Sequence, residues 1–288
     1  MSQVHIVTDS SAQFVDPNFP TRRAITVVPL IIHWGKRSFQ EGIDMRSVDF
    51  LRGIADAGAL PVLASPTVEY FTNLYETLSR STDRIVSVHL SSKLSRTARN
   101  AATAAANLRG RCKIEIIDSL SISGGVGFLV EQATLAAERG ETLEEIVRSV
   151  RSHLQRMYAV FFVDTLDYLA HSGRIGPAPA LLGDMLGIKP LLAIEEGDLI
   201  TIEKVRQRAQ AIERLLEFVL EFDDITYMMI LHGGGESSRD AHALLERLKL
   251  ELPQRQWPLT TYGPSLGTFL GPDALGVVIV EGERTSET

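Results

Sequence analysis

Cysteine is nearly absent, with Cys112 alone in 288 residues. That excludes an intramolecular disulfide and a cysteine-rich metal cluster, suits a reducing cytoplasm, and leaves Cys112 as a structural residue. Long apolar runs are absent too. No segment reaches membrane-spanning length, and the chain enters a strand at Val4 without the basic stretch and apolar core of a signal peptide. A soluble, cytoplasmic protein with no membrane span is expected. Runs of Lys or Arg are missing, and 29 basic against 36 acidic residues leave a net charge of −7, which argues against nucleic acid or an anionic membrane as the main partner. Neither a GxxxxGK[ST] phosphate loop nor a GxGxxG fingerprint occurs, and the seven histidines form no HExxH. Nucleotide hydrolysis and metal catalysis therefore lack a motif.

What remains is 44% hydrophobic residues, enough for a sizeable core in two ordinary domains. The most telling stretch begins as an apolar β-branched strand, Ile85-Val86-Ser87-Val88-His89-Leu90. It breaks into Ser91-Ser92-Lys93-Leu94-Ser95-Arg96 and continues as an Ala-rich helix. Hydroxyls at such a corner can grip a carboxylate or phosphate, assisted by the free N–H groups of the helix start. They can equally serve as helix caps. The pattern recurs, because Val4 to Thr8 runs into Asp9-Ser10-Ser11, Lys113 to Ile117 into Asp118-Ser119, and Val160 to Val163 into Asp164-Thr165. Polar strand ends gathered on one sheet edge form the usual crevice of open parallel sheets.

The first half alternates strands with helices near Arg46 to Ala57, Thr67 to Leu78, Ser95 to Leu108, Ser123 to Arg139 and Leu143 to Gln155. Thr142 and Glu145 have the spacing of a capping box at the last of these. The second half reads as strands near Ala159 to Val163, Pro190 to Glu195, Ile200 to Val205, Tyr227 to His232, Leu259 to Tyr262 and Gly276 to Val280, with helices at Arg208 to Phe222 and Ser238 to Leu250. Glu196-Gly197-Asp198 is a hairpin signal. The expected fold class is α/β. An N-terminal parallel-sheet α/β domain (1–156) holds the serine corner, a C-terminal α+β domain (157–282) has a mixed or antiparallel sheet, and 283–288 form a flexible tail.

Two short patterns suggest an esterase. His232-Gly233-Gly234-Gly235 resembles an oxyanion loop, and Gly263-Pro264-Ser265-Leu266-Gly267 resembles a nucleophile elbow. Chain order opposes this, since the last histidine, His242, precedes Ser265, and the residues after Ser265 read as loop and strand where an elbow needs a helix. His89 reads as a satisfied structural histidine with no evident partner. Arg174, between Gly173 and Gly176 and beside a strand end, suits either a bidentate anion clamp or a surface cation after a helix cap. An enzymatic alternative, a small-molecule transferase or hydrolase, would use Asp9, Asp118 or Asp164.

In order and spacing the chain resembles the DegV family of bacterial fatty-acid-binding proteins. The resemblance runs through Val7-Thr8-Asp9-Ser10-Ser11, Val27-Val28-Pro29-Leu30, His89-Leu90-Ser91-Ser92-Lys93-Leu94-Ser95, Asp118-Ser119, Asp164-Thr165-Leu166, Gly173-Arg174-Ile175-Gly176, Ile188-Lys189-Pro190 and Gly271-Pro272. It implies a two-domain, non-catalytic protein that holds a long-chain fatty acid in an apolar tunnel between the domains, with no other cofactor. It also implies a partner, a separate fatty acid kinase to which the acid is presented. Ser95 matches the family serine at the ligand carboxylate, with Ser91 and Ser92 shaping the turn, and Arg174 and Arg206 match family arginines.

Three positions depart from the family pattern. Thr-Ser-Gln-Pro appears as Leu63-Ala64-Ser65-Pro66, the histidine before the Gly-Pro segment becomes Phe269, and the glycine after the contact serine becomes Arg96. A more apolar head-group end is expected. Either Arg96 points inward as a replacement, or the ligand has a less polar head, or binding has weakened.

Overall fold

The computed structural model describes residues 4–56, 59–175, 187–255 and 257–282. Gly176 and the polar tail at 283–288 lie outside the described residues. The first 156 residues carry strands β1 (His5–Asp9), β2 (Thr26–Val28), β3 (Ile31–Trp34), β4 (Arg37–Gln40), β5 (Val62–Ala64), β6 (Arg84–His89) and β7 (Lys113–Asp118). Their helices are α1 (Phe19–Arg22), α2 (Ser47–Asp56), α3 (Val68–Leu78), α4 (Thr97–Ala106), α5 (Gly124–Glu138) and α6 (Leu143–His153).

A parallel sheet in the order β2-β1-β6-β7 forms the centre of this half. Alternating strand residues face opposite sides. Val7 and Ile85 pack with Phe71 and Tyr75 of α3 and Ala101 and Ala104 of α4. Ile6, Val86 and Val88 pack with Leu129 and Val130 of α5 and Ile146 and Val150 of α6. Burial on both faces explains why β6 reads as a continuous apolar run. The predicted capping box forms, with the Thr142 hydroxyl accepting from the Glu145 N–H and the Glu145 carboxylate accepting from the Thr142 N–H.

The short strands β3, β4 and β5 make a separate antiparallel sheet, ordered β4-β3-β5, which the sequence pattern did not reveal. At three to four residues each, with mixed exposure, they carry too little period-2 signal.

The second half holds β8 (Met157–Phe162), β9 (Lys189–Glu195), β10 (Asp198–Val205), β11 (Ile225–His232), β12 (Leu259–Thr261) and β13 (Leu275–Glu281). Among the described residues its helices are α7 (Asp167–His171), α8 (Arg208–Leu220), α9 (Gly235–Glu251) and α10 (Pro264–Leu270). The strands form one mixed sheet, β10-β9-β8-β13-β11-β12, antiparallel except for the β11–β12 pair. The β9–β10 turn is Glu196-Gly197, both at positive φ as a type I′ hairpin requires, and Asp198 already belongs to β10. Helix α10 corrects the loop-and-strand expectation after Ser265. Pro264 starts it, and Gly271 at φ 80° ends it.

One face of the mixed sheet packs under α8 and α9 through Val160, Phe162, Ile230, Val277 and Ile279. The other face contributes Phe161, Leu192, Leu231 and Val278 to the same apolar cluster as Val86, Val88 and Leu129, so the largest core spans both halves. Helix α5 lies between the sheets, in contact with β1 and β6 on one side and β11 and β13 on the other. Gly127 is obligatory there, since a Cβ would lie 1.8 Å from the Gln13 carbonyl oxygen.

Candidate functional site

At the end of β6 the chain is held from several directions. Asp9, fully buried, accepts from the Ser11 N–H and hydroxyl at 3.1 and 2.5 Å, from the Leu90 N–H at 3.0 Å, and bonds His89 Nδ1 at 3.0 Å. The Tyr75 hydroxyl donates to Ser87 Oγ at 2.9 Å, and Ser87 Oγ lies 2.8 Å from His89 Nε2. The Asp9 carboxylate can only accept, which assigns the proton of a neutral His89 ring to Nδ1 and leaves Nε2 to accept from the Ser87 hydroxyl. His89 is thus satisfied, and its partner, invisible in the sequence, is a carboxylate 80 positions away.

Beyond Leu90, the Ser91 N–H donates to the Ser121 carbonyl at 2.8 Å and the Ser92 N–H to the Asp118 carboxylate at 3.1 Å. The buried Ser91 hydroxyl donates to the Gly197 carbonyl at 2.6 Å, so the corner is tied to the hairpin of the other half. Ser95 Oγ lies 2.8 Å from Ser65 Oγ and 2.8 Å from Thr97 Oγ1. The Arg96 N–H donates to Ser65 Oγ at 2.9 Å and the Thr97 N–H to Ser95 Oγ at 3.3 Å. Three hydroxyls therefore meet at the start of α4, and Ser65 is one the sequence analysis did not single out. Nothing local in Leu63-Ala64-Ser65-Pro66 signals a partner 30 residues on.

Arg174 closes the corner from the second half. Its guanidinium donates to the Lys93 and Leu94 carbonyls at 2.7 and 3.3 Å, stands 3.7 Å from the Asp198 carboxylate and lies 5.6 Å over the Phe269 ring. Arg174 Nε is buried and has no hydrogen-bond partner among the described residues. Phe269, buried on α10, shares the main apolar cluster with Leu94, against which Leu63 packs half-buried, and α10 packs on β5. Ala64 is half-buried beside Leu63. The Arg96 side chain is exposed, and what Arg96 contributes to the corner is its backbone N–H rather than an inward guanidinium. Arg206 is also exposed.

The strand-end carboxylates of the enzymatic alternative are all engaged structurally. Asp9 is saturated as described, and Asp118 caps the Ser92 and Leu120 N–H groups. Asp164 pairs with Lys189 and Arg208. Desolvation pushes the Asp164 carboxyl up, but these two cations outweigh it and hold it below the usual carboxylate range. Ser265 Oγ, the hydroxyl of the elbow-like pattern, is buried, and among the described residues it makes no hydrogen bond to a histidine.

The Ser265 N–H instead donates to Glu41 at 2.7 Å, and Glu41 also accepts from the Ser10 hydroxyl at 2.7 Å. Burial raises this carboxyl to about 7 against the pull of those hydrogen bonds and of the Ser265 hydroxyl. A groove of about 640 Å³ over α4 and β7 is lined by Ala102, Cys112 and Ile116 and shares no residue with the corner, so volume does not locate the site. Among the described residues no cluster of His, Cys, Asp and Glu could hold a metal ion, and no helix is long and apolar enough to cross a membrane.

Comparison with known proteins agrees with this fold. Residues 3–282 match the family model described as "Uncharacterised protein, DegV family". The DegV domain-containing protein of Streptomyces coelicolor is 36% identical over 282 residues, covering 96% of this chain and 98% of that protein. A fatty-acid-binding DegV family protein of Thermus thermophilus superposes with a TM-score of 0.84 at 25% identity, covering 97% of this chain and 100% of the other. DegV of Bacillus subtilis, a fatty acid binding protein, superposes at 0.85 with 26% identity over 98% and 100%. With a family match over nearly its whole length and a relative this similar from end to end, the chain belongs to the DegV family.

Proposed function

We propose that this protein is a non-catalytic carrier of a long-chain fatty acid or related lipid. The head group sits at Ser95, with Ser91 and Ser92 shaping the turn, and Arg174 supplies positive charge. The acyl chain runs into the apolar space between the halves past Leu63, Ala64 and Phe269. The observation that carries this is Arg174 Nε, a buried charged donor with no acceptor among the described residues, held over Phe269 and against the serine corner. A buried donor left unpaired costs about 1–3 kcal/mol, more when charged, so a ligand oxygen within reach of Arg174 Nε would be bound favourably.

Relatives described as fatty acid binding support the same ligand class. The division at 156/157, a cytoplasmic setting and presentation of the acid to a separate fatty acid kinase complete the proposal. Native mass spectrometry and lipid extraction of the purified protein test it. Bound acyl chains, lost or weakened in Ser95→Ala, are expected; a protein that carries none and takes up none overturns it.

A further inference from the structure

Away from the serine corner, Glu41 is a buried acid that lacks a counter-charge. It follows β4 and is only 4% exposed. Its carboxylate accepts from the Ser10 hydroxyl and the Ser265 N–H, but no Lys, Arg or His among the described residues pairs with it. Asp9, the charge that acts on it, repels it and is itself held by His89. Charged groups in the surrounding segments are engaged elsewhere, Asp16 with Arg22, Arg23 with Glu138, and Asp44 with the Gln40 N–H. Buried carboxylates are ordinarily paired with a cation or kept neutral. Glu41 also lines a pocket of about 280 Å³ that shares no residue with the corner. Phe14, Pro20, Val27 and Ile43 wall this pocket, the last two exposed, and Ser10 and Gln13 line it beside Glu41.

Gln13 brings a second acceptor to the same place. Its Oε1 and Glu41 Oε1 converge on Gly263, 3.9 and 2.9 Å from where a Cβ would stand, and the Gln13 side chain bonds to none of the described residues. Two oxygens seeking donors, one of them charged, suit a group that only donates, and a primary ammonium has three N–H donors and no acceptor. The apolar walls suit a methylene stem behind that head. A metal ion would need more ligands than these, and among the described residues no such cluster exists. We propose that this pocket is a binding site for a small aliphatic primary ammonium, with Glu41 as its counter-charge and Gln13 as a second acceptor. The volume lies just below the usual ligand range of about 300–1,000 Å³, which restricts the occupant to a short stem. Occupancy is linked to protonation, since the ammonium holds Glu41 ionised whereas burial alone pushes its carboxyl up to about 7. Binding therefore strengthens as pH rises through 7, while the amine stays charged.

Isothermal titration calorimetry of the full-length protein with n-butylamine in phosphate buffer at pH 6 and pH 8 tests this, with 1-butanol as the neutral match in shape. Amine affinity is expected to be about tenfold higher at pH 8, because a carboxyl titrating at about 7 is about a tenth ionised at pH 6 and about nine-tenths at pH 8. Glu41→Gln keeps the size of the side chain without its charge and should bind about tenfold more weakly than wild type at pH 8, with no pH dependence. Gln13→Leu should weaken binding and retain the pH dependence. Ile43→Lys, at the exposed rim, should supply a competing ammonium and abolish amine binding, and it keeps the test open should Glu41→Gln not fold. Absence of amine binding at pH 8 overturns the proposal. So does binding of 1-butanol as tight as that of the amine, or amine affinity at pH 8 unchanged in Glu41→Gln or Ile43→Lys, and Glu41 would then be only a tie between β4 and α10. Acyl-chain carriage uses none of these residues and stands or falls separately.

Discussion

The Ser91 hydroxyl donates a 2.6 Å hydrogen bond to the carbonyl of Gly197, joining residues 106 positions apart and binding the serine corner of the parallel sheet to the β9–β10 hairpin of the mixed sheet. Both groups are constrained from elsewhere. Ser91 Oγ also accepts the Lys93 N–H, and Gly197 sits at φ 86°.

A side chain at 197 is therefore expected to be costly. A Cβ there would lie 2.4 Å from Ser91 Oγ and 3.2 Å from Leu120 Cδ2, in a backbone region that favours glycine. Gly197→Ala should lose about 2 kcal/mol in urea unfolding. Ser91→Ala, which removes the bond and strands a buried carbonyl, should lose about 1 kcal/mol. Wild-type stability in Gly197→Ala would show that the hairpin does not depend on this contact.

Asp9 is expected to matter for folding rather than turnover. Its carboxylate accepts from Ser11 and Leu90 and pairs with His89 at full burial, so Asp9→Asn presents an amide donor to groups that themselves donate. A loss of at least about 2 kcal/mol is expected. Measured by denaturant unfolding, an unchanged midpoint would remove the network from any account of the corner.

Glu41 gives stability a defined pH dependence. Its carboxyl moves from an ordinary value of 4.5 to about 7 on folding, because burial disfavours the charge. Between those two values the folded chain retains a proton that the unfolded chain has released. The contribution is therefore complete below about pH 4.5 and is lost as pH rises through 7. Glu41→Gln should be more stable than wild type at pH 8 by about 1 kcal/mol or more and should lose that advantage near pH 5. Parallel stability curves for the two proteins across that range would contradict this.

Arg174 is expected to act through its fork as well as its charge. Arg174→Lys keeps a cation but cannot span the Lys93 and Leu94 carbonyls while presenting a further N–H, so acyl-chain retention should fall about tenfold, nearly as far as in Arg174→Met. Retention equal to wild type in the lysine variant, read by native mass spectrometry, would leave only the charge.

Much of this architecture is legible in the sequence where the signal is local. The apolar run into Ser91, the capping box at Thr142 and the Glu196-Gly197 turn each involve residues within a few positions, and each appears as its pattern predicts. Helix α10 has no helical signature in the sequence because all seven of its residues are buried and Gly267 sits in its middle, leaving neither a polar face nor strong helix propensity. The partners that define the corner lie far apart in the chain. Ser65 meets Ser95 across 30 residues, His89 meets Asp9 across 80, and Ser265 meets Glu41 across 224. No periodicity encodes such pairings.

Helix α5 has a sheet on each side and an apolar surface nearly all round. It acts as a shared keel rather than as the property of either half. Severing the chain after residue 156 would leave the mixed sheet facing water where Phe128 and Leu129 had been. The boundary drawn by sheet topology is thus not a plane of weakness, and the two halves are expected to stand or melt together.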